Sequence, residues 1–442
     1  MIDISSHFTY PRLFRFVLPS ILMMISVSAY SIVDGLFVSN YTGKLPFAAV
    51  NLIFPALMIF SSIGFMVGAG GSALVAKYMG EGKPDRANGI FSLLVCASGA
   101  AGLVISMVAW FLMPLLARLM GAEGELLRQS VLYGRILLLS LAPFILQRVF
   151  ETFLVTAGKP GLGLGITLLS GGINILGDWL FIVQFHGGIV GAGLATVLSE
   201  YTGCLLPLIY FLCKNTSSLS LTRPLWDMGA LRKTITNGAS EFFNTISMSL
   251  VSMLYNYQLM RLAGENGVAA FGVIMYVSFM FEAIFIGYSM GTAPIISYNY
   301  GARRHEELKR LFKKSLLLVS LGGIIMSVTA VVLSPRLASI FVAYDPVLYD
   351  LTVRGFCLYS LSFLISGFPI YGSAFFTALN NGLISSIISI LQSVVFEVAA
   401  VLILPLFLYT DGIWLSVTVA KVLALLLTLW FWAAFHKEYQ YW

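Results

Sequence analysis

The sequence predicts an all-α integral membrane protein: twelve transmembrane helices in two six-helix lobes related by a same-topology internal repeat. Three observations predict it. Of the 442 residues 58% are apolar and only 10% charged, with a mean hydropathy of +0.90, whereas soluble domains run near a quarter charged. Apolar runs of about 20 residues, enough to cross a bilayer, recur along the whole length. The glycine pattern of the first half returns in the second. A disordered chain is excluded because such chains lack apolar residues. A disulfide scaffold is excluded too, since Cys96, Cys204, Cys213 and Cys357 all lie in apolar runs without disulfide or metal spacing. The first run opens near Leu13, outlasts a signal-peptide core and has no small-residue cleavage site, so no removable leader is expected.

In order, the predicted spans are 13–38, 47–76, 87–116, 126–157, 161–184, 188–213, 231–261, 266–299, 308–333, 347–379, 383–408 and 412–435. Several exceed one bilayer thickness, which predicts tilted or kinked helices. Breakers end them: Gly43 with Pro46, Gly82 with Pro84, Gly158 to Gly161, Gly187-Gly188 and Asn380 to Gly382. Pro19, Pro55 and Pro369 fall inside the first, second and tenth spans and are expected to interrupt them. One longer, more polar linker, Lys214 to Asp227, follows the sixth span. It divides the chain into an N-lobe (1–213), a linker (214–230) and a C-lobe (231–442).

Counting basic residues sets the orientation. The side that holds both termini carries 17 Lys and Arg against 6 on the other, which puts both termini in the cytoplasm. The net charge of +6 is explained by this asymmetry, so no nucleic-acid partner is implied. The halves repeat in register. Gly43-Lys-Leu-Pro-Phe-Ala-Ala-Val parallels Gly264-Glu-Asn-Gly-Val-Ala-Ala-Phe, Gly64 and Gly68 parallel Gly287 and Gly291, and Gly80 parallels Gly301, at offsets of 221 to 223. Corresponding spans run in the same direction, an arrangement of transporters with the substrate site between the lobes.

Seven carboxylates lie inside apolar runs: Asp34, Glu151, Asp178, Glu200, Glu241, Glu282 and Glu397. Intramembrane acids are expensive and therefore functional candidates. Depth groups some of them. Asp34 and Asp178 lie about 8 Å below the outer ends of spans one and five, and Tyr133 and Thr196 about 10 Å below those of spans four and six, at 1.5 Å per residue. Asn174 is four residues before Asp178, on the same helix face. Such a cluster suits a proton relay, and its oxygen ligands equally suit sodium. Glu282, with no base on its own helix, is expected to bind cationic substrate or a second coupling ion, with Glu241 beside it as a candidate. Glu397 and Lys421 are expected to pair with each other, and Arg148 with Glu151 three residues on. Glu200 has no assigned role. Met248, Met253, Met260, Met275 and Met280 suit an adaptable apolar cavity. No zinc-protease, phosphate-loop or other enzyme constellation is present, so the chain reads as a transporter driven by a gradient, without cofactor or metal site.

These residues resemble the MATE (multidrug and toxic compound extrusion) family across the whole chain. The carriers are Pro19 with Val33-Asp34-Gly35-Leu36-Phe37-Val38, Gly70-Gly71-Ser72-Ala73 with Gly80-Glu81-Gly82, Asn174-Ile-Leu-Gly-Asp178, and Gly191-Ala192-Gly193-Leu194-Ala195-Thr196. The pattern falls with the prokaryotic DinF-like and MepA-like branches. The resemblance implies an N-lobe cation-coupling site of Asp34, Tyr133, Asn174, Asp178 and Thr196, a bending point at Pro19, and a match of Glu282 to the helix 8 glutamate of MepA-like members. The helix 7 glutamate of the NorM-like branch falls on Asn244 here, which disfavours a NorM-style sodium site. The expected function is antiport: export of small organic cations across the plasma membrane against protons or sodium, by a monomer. The alternative is a lipid-linked oligosaccharide flippase, which wants a basic cavity; only Arg135, Arg148 and Lys421 could supply one, against seven acids.

Overall fold

The computed structural model describes residues 4–342 and 345–442. The described residues are helical with short turns and contain no strand. In the N-lobe the helices are α1 (Tyr10–Tyr41), α2 (Lys44–Gly80), α3 (Pro84–Leu119), α4 (Gly124–Leu138), α5 (Leu141–Thr156), α6 (Pro160–Asp178) and α7 (Gly188–Leu212). The C-lobe holds α8 (Met228–Gly301), α9 (His305–Val342), α10 (Pro346–Ser360), α11 (Phe363–Ala378), α12 (Gly382–Ile390), α13 (Glu397–Ile403) and α14 (Pro405–Tyr439). Two π-helical turns, Trp179–Gln184 and Leu391–Phe396, extend α6 and join α12 to α13.

Among the described residues nine helical segments, counting each π turn with the helices it extends or joins, are long and apolar enough to cross a membrane, and two bent pairs, α4–α5 and α10–α11, are so when each is taken together. At 1.5 Å per residue the 74 residues of α8 are about 110 Å long, more than three bilayer cores. Gly264 resolves this. Its φ of 62° breaks α8 into two arms, a left-handed backbone that glycine adopts without steric cost. The twelve predicted spans follow.

Two breaks in the spans lie away from the prolines. Pro19 and Pro55 sit inside unbroken α1 and α2, and Pro369 lies inside α11. The breaks are at Leu139-Ser140, where the chain turns 52°, and at Leu361-Ser362, where it turns 48°, positions 222 residues apart. A serine with a back-bonded hydroxyl stands at each break. Ser140 Oγ donates to the Leu137 carbonyl at 3.2 Å and Ser360 Oγ to Cys357 at 2.8 Å, side-chain bonds that compete with the helical ladder and bend it. The freed Leu139 carbonyl accepts the Tyr201 hydroxyl of α7 at 3.1 Å, which satisfies that backbone group in the apolar layer.

The lobes meet at the end that carries the termini. Gly70 of α2 lies against the Thr234 carbonyl and Gly238 of α8, where a Cβ would collide with backbone. That approach lets Asn237 Nδ2 donate to the Gly70 carbonyl at 3.4 Å and Ser297 Oγ to Ala73 at 2.7 Å. Around them Arg86 holds Asp227 at 2.9 Å, His7 Nδ1 lies 2.7 Å from Glu307, and Lys314 donates to the Phe8 carbonyl. The linker is tied down as well, with Leu225 N–H on Gly89 at 3.0 Å and Thr222 N–H on Ser92 Oγ at 2.8 Å. Among the described residues every hydrogen bond between the lobes falls at this end, and none at the other.

Candidate cation site in the N-lobe and charged cluster in the C-lobe

The N-lobe site is assembled by side chains one helical turn apart. Tyr30 and Asp34 come from α1, Asn174 and Asp178 from α6, and Thr196 and Glu200 from α7, each pair four residues apart and therefore on one face. Tyr133 comes from α4, and Gln147, Arg148 and Glu151 from α5. Asp178 is fully buried, and Asn174 and Tyr133 nearly so. It is also the last residue before the first π turn, the kind of irregular turn found mostly at functional positions.

Asp34 and Asp178 meet carboxyl to carboxyl. Asp34 Oδ1 and both Asp178 oxygens find no donor among the described residues. Two facing acceptors with nothing between them are what a proton or a small cation would satisfy. The Tyr133 hydroxyl contacts Thr196, and the charges nearest it are Asp34, Glu200 and Asp178. Thr196 Oγ1 itself donates to the Ala192 carbonyl at 3.1 Å. Asn174 is buried one turn from Asp178 along α6.

A second layer adjoins this one. Arg148 and Glu151 form a buried ion pair at 2.8 Å, with side chains 4% and 8% exposed. Gln147 Nε2 donates to Glu151 at 3.2 Å, and an Arg148 amine donates to the Tyr30 hydroxyl at 3.4 Å. The Arg148 guanidinium also stacks over Phe144, 4.9 Å from the ring centroid. Glu200 contacts Ser140 at the α4–α5 bend and adds its charge to Tyr30, Arg148 and Tyr133. Tyr30 went unread in the sequence, and Glu200 was noted there without a role; each is one helical turn from a predicted site residue, Asp34 and Thr196.

The C-lobe corrects one expectation. The ion-pair partner of Lys421 is Glu282, with Nζ to Oε1 at 3.5 Å and side chains 9% and 21% exposed; among the described residues no ion pair joins Lys421 to Glu397, on which the ammonium acts only by its charge. Glu282 has no base on its own helix, but α14 supplies one across the packing. Glu397 lies alongside the pair, its carboxyl against the Tyr255 hydroxyl. Glu241 is apart from this cluster, with no charged group beside it among the described residues. Asn244 accepts a hydrogen bond from Ser393 at 3.2 Å.

Two helical lobes with buried carboxylates at the centre of each define a polytopic membrane transporter rather than an enzyme. The chain belongs to the MatE family, whose model matches residues 19–180 and again 242–403, a displacement of 223 residues at both ends. The same offset separates Gly64 and Gly68 from Gly287 and Gly291, and the other glycine pairs lie within two residues of it. Over 422 residues the chain is 25% identical to the multidrug export protein MepA of Staphylococcus aureus strain MRSA252, covering 94% of this chain and 92% of that one. In fold it is similar to a MATE protein in the straight conformation, with a TM-score of 0.92 at 22% identity. It is also similar to the outward-facing conformation of a multidrug resistance MATE transporter of the MOP superfamily, with a TM-score of 0.91 at 22% identity. Each of these two likenesses covers 97% of this chain and 96% of the other.

Proposed function

We propose that this chain is a secondary antiporter of the plasma membrane that exports organic cations in exchange for protons or sodium ions by alternating access. One observation carries the coupling. The N-lobe cluster holds four carboxylates, Asp34, Glu151, Asp178 and Glu200, against a single base, Arg148. Uncompensated carboxylates are costly at membrane depth, so the cluster needs positive charge from outside, and a gradient supplies it as protons or sodium.

With Asp34 and Asp178 sharing a proton or a cation, burial is inexpensive and α1 packs inward. With both ionised, repulsion and desolvation favour a more hydrated arrangement. Tyr133, Asn174 and Thr196 supply the remaining oxygens. Pro19 lacks the backbone N–H that would tie it to the preceding turn, so α1 bends there most readily. A substrate that binds one arrangement better is exchanged for the ion by population shift. Glu282 is the binding group for cationic substrate, in keeping with a relative named as a multidrug export protein.

With both termini cytoplasmic, as the basic-residue bias indicates, the end at which the lobes are hydrogen-bonded to each other faces the cytoplasm. The flippase reading is disfavoured because the bases within the spans are engaged: Arg148 by Glu151, Lys421 by Glu282, and Arg135 by the ring and carbonyl of Trp110. The test is purified protein in liposomes, with efflux of a fluorescent cation driven separately by a pH and a sodium gradient. Efflux driven by either identifies the coupling ion. Efflux driven by neither overturns the proposal.

A further inference from the structure

The charged cluster of the C-lobe has the opposite character to that of the N-lobe. Five segments converge on it: Tyr255 from the first arm of α8, Ser278 and Glu282 from the second, Tyr359 from α10, Glu397 from α13 and Lys421 from α14. The N-lobe site has two facing carboxylates and nothing between them. Here two carboxylates, Glu282 and Glu397, have an ammonium of the protein's own among them. Lys421 Nζ is in contact with Glu282 at 3.5 Å, and its charge also acts on Glu397.

Exposure decides how the cluster is approached. Lys421 is 9% exposed and Glu282 21%, so Glu282 is the accessible face and Lys421 the shielded one. On the same arm of α8, Tyr276, Phe279 and Met280 are exposed, and they offer the aromatic and thioether surface that a lipophilic cation prefers. A second observation points inward. The Tyr255 hydroxyl is buried, lies against Glu397 and makes no well-formed hydrogen bond. Glu397 directly follows the second π turn, as Asp178 directly precedes the first. Glu397 is therefore a carboxylate with spare capacity, beside an ammonium that is not bound to it.

We propose that Lys421 is a tethered cation which occupies the C-lobe substrate site, and that an organic monocation binds Glu282 by displacing the Lys421 ammonium toward Glu397. This rests on the reading of Glu282 as the substrate carboxylate and adds what sets its affinity. Two carboxylates and one ammonium leave room for one further positive charge, so the cluster takes a monocation and disfavours a dication. Displacement also keeps binding from becoming too tight for release. When the substrate leaves, Lys421 returns to Glu282, and no unpaired carboxylate is left in the apolar layer.

The test is equilibrium binding of tetraphenylphosphonium, a permanent monocation, to the purified full chain in detergent. Glu282→Gln is expected to weaken binding, and this arm tests the substrate-site reading by itself. Lys421→Gln is expected to tighten binding roughly tenfold, because the competing ammonium is gone. The double variant K421Q/E282Q is expected to bind no better than E282Q, because the gain must act through Glu282. Glu397→Gln is expected to weaken binding, since Lys421 then has only Glu282 to pair with, and this arm decides the matter if K421Q fails to fold. If E282Q weakens binding while K421Q does not tighten it, Lys421 is a structural partner and the displacement proposal is overturned with the substrate-site reading intact. If E282Q binds like wild type, both are overturned.

Discussion

At the scale of single residues, the N-lobe separates groups whose charge must change from groups whose charge must not. Asp34 Oδ1 and both oxygens of the facing Asp178 find no donor among the described residues, so on the antiport proposal neutralising either acid uncouples the cluster from a gradient. Asp34→Asn and Asp178→Asn are each expected to abolish gradient-driven export in liposomes while leaving substrate binding measurable. Full transport by both would remove the N-lobe from the mechanism. Arg148 belongs to the other kind. It is held at once by Glu151, Tyr30 and the ring of Phe144, and removing one partner of a buried pair leaves a bare charge behind. Arg148→Met is expected to cost about 3–5 kcal/mol, read as a lowered melting temperature in detergent. R148M/E151Q should recover most of that loss, because the charge left behind goes with it.

At the scale of elements, helix ends and breaks do the positioning. Asp227 caps α8 by accepting the Ala230 N–H at 3.0 Å and pairs with Arg86. The Ala230 N–H first, and the guanidinium with it, hold its carboxyl below the ordinary value of 3.8. A carboxylate whose folded value is depressed contributes stability above the unfolded value, and loses it as the pH falls through the folded one. Asp227→Ala is therefore expected to cost about 1 kcal/mol at neutral pH, the usual cost of a lost cap. The difference in melting temperature from wild type should narrow only below pH 3.8. A constant difference down to lower pH would mean that the charge contributes nothing. The α4–α5 and α10–α11 bends show the same economy. A serine hydroxyl loosens each ladder, and at the first bend Ser140 is brought to Glu200. A straight fourth span would carry Ser140 past that contact.

At the scale of the whole molecule, the two lobes are locked at the terminus end by backbone approaching backbone. Gly238 packs against the Met66 carbonyl and the Gly70 backbone with no room for a Cβ. Gly238→Val is expected to force this end apart and favour the arrangement open on the terminus side. Single-cysteine labelling from each side of oriented vesicles checks this: positions at the terminus end should gain reactivity and positions at the far end should lose it. Unchanged labelling in folded protein would mean that the contact does not report the state of the transporter. Intact cells check the orientation, since tags at either terminus are expected to be protected from protease added outside.

Composition alone determined that the chain lives in a membrane, because a tenth of charged residues cannot cover a soluble surface. Apolar run length determined the twelve spans, and glycine register determined the repeat, because both are local properties of the chain. Helical periodicity likewise made Asn174 and Asp178 legible as one face. Partner choice was not legible. Lys421 and Glu397 looked like a pair because their spans are adjacent in sequence order, yet Lys421 contacts Glu282 from a span far earlier in the chain. The breaks at Leu139-Ser140 and Leu361-Ser362 were not legible either, for a related reason. Proline is visible in a sequence, whereas a serine that bends a helix does so only where a tertiary partner takes the freed carbonyl, as Tyr201 does at Leu139. Which charges meet depends on the rotation and depth at which helices pack, and packing is settled by the whole of both surfaces rather than by either segment.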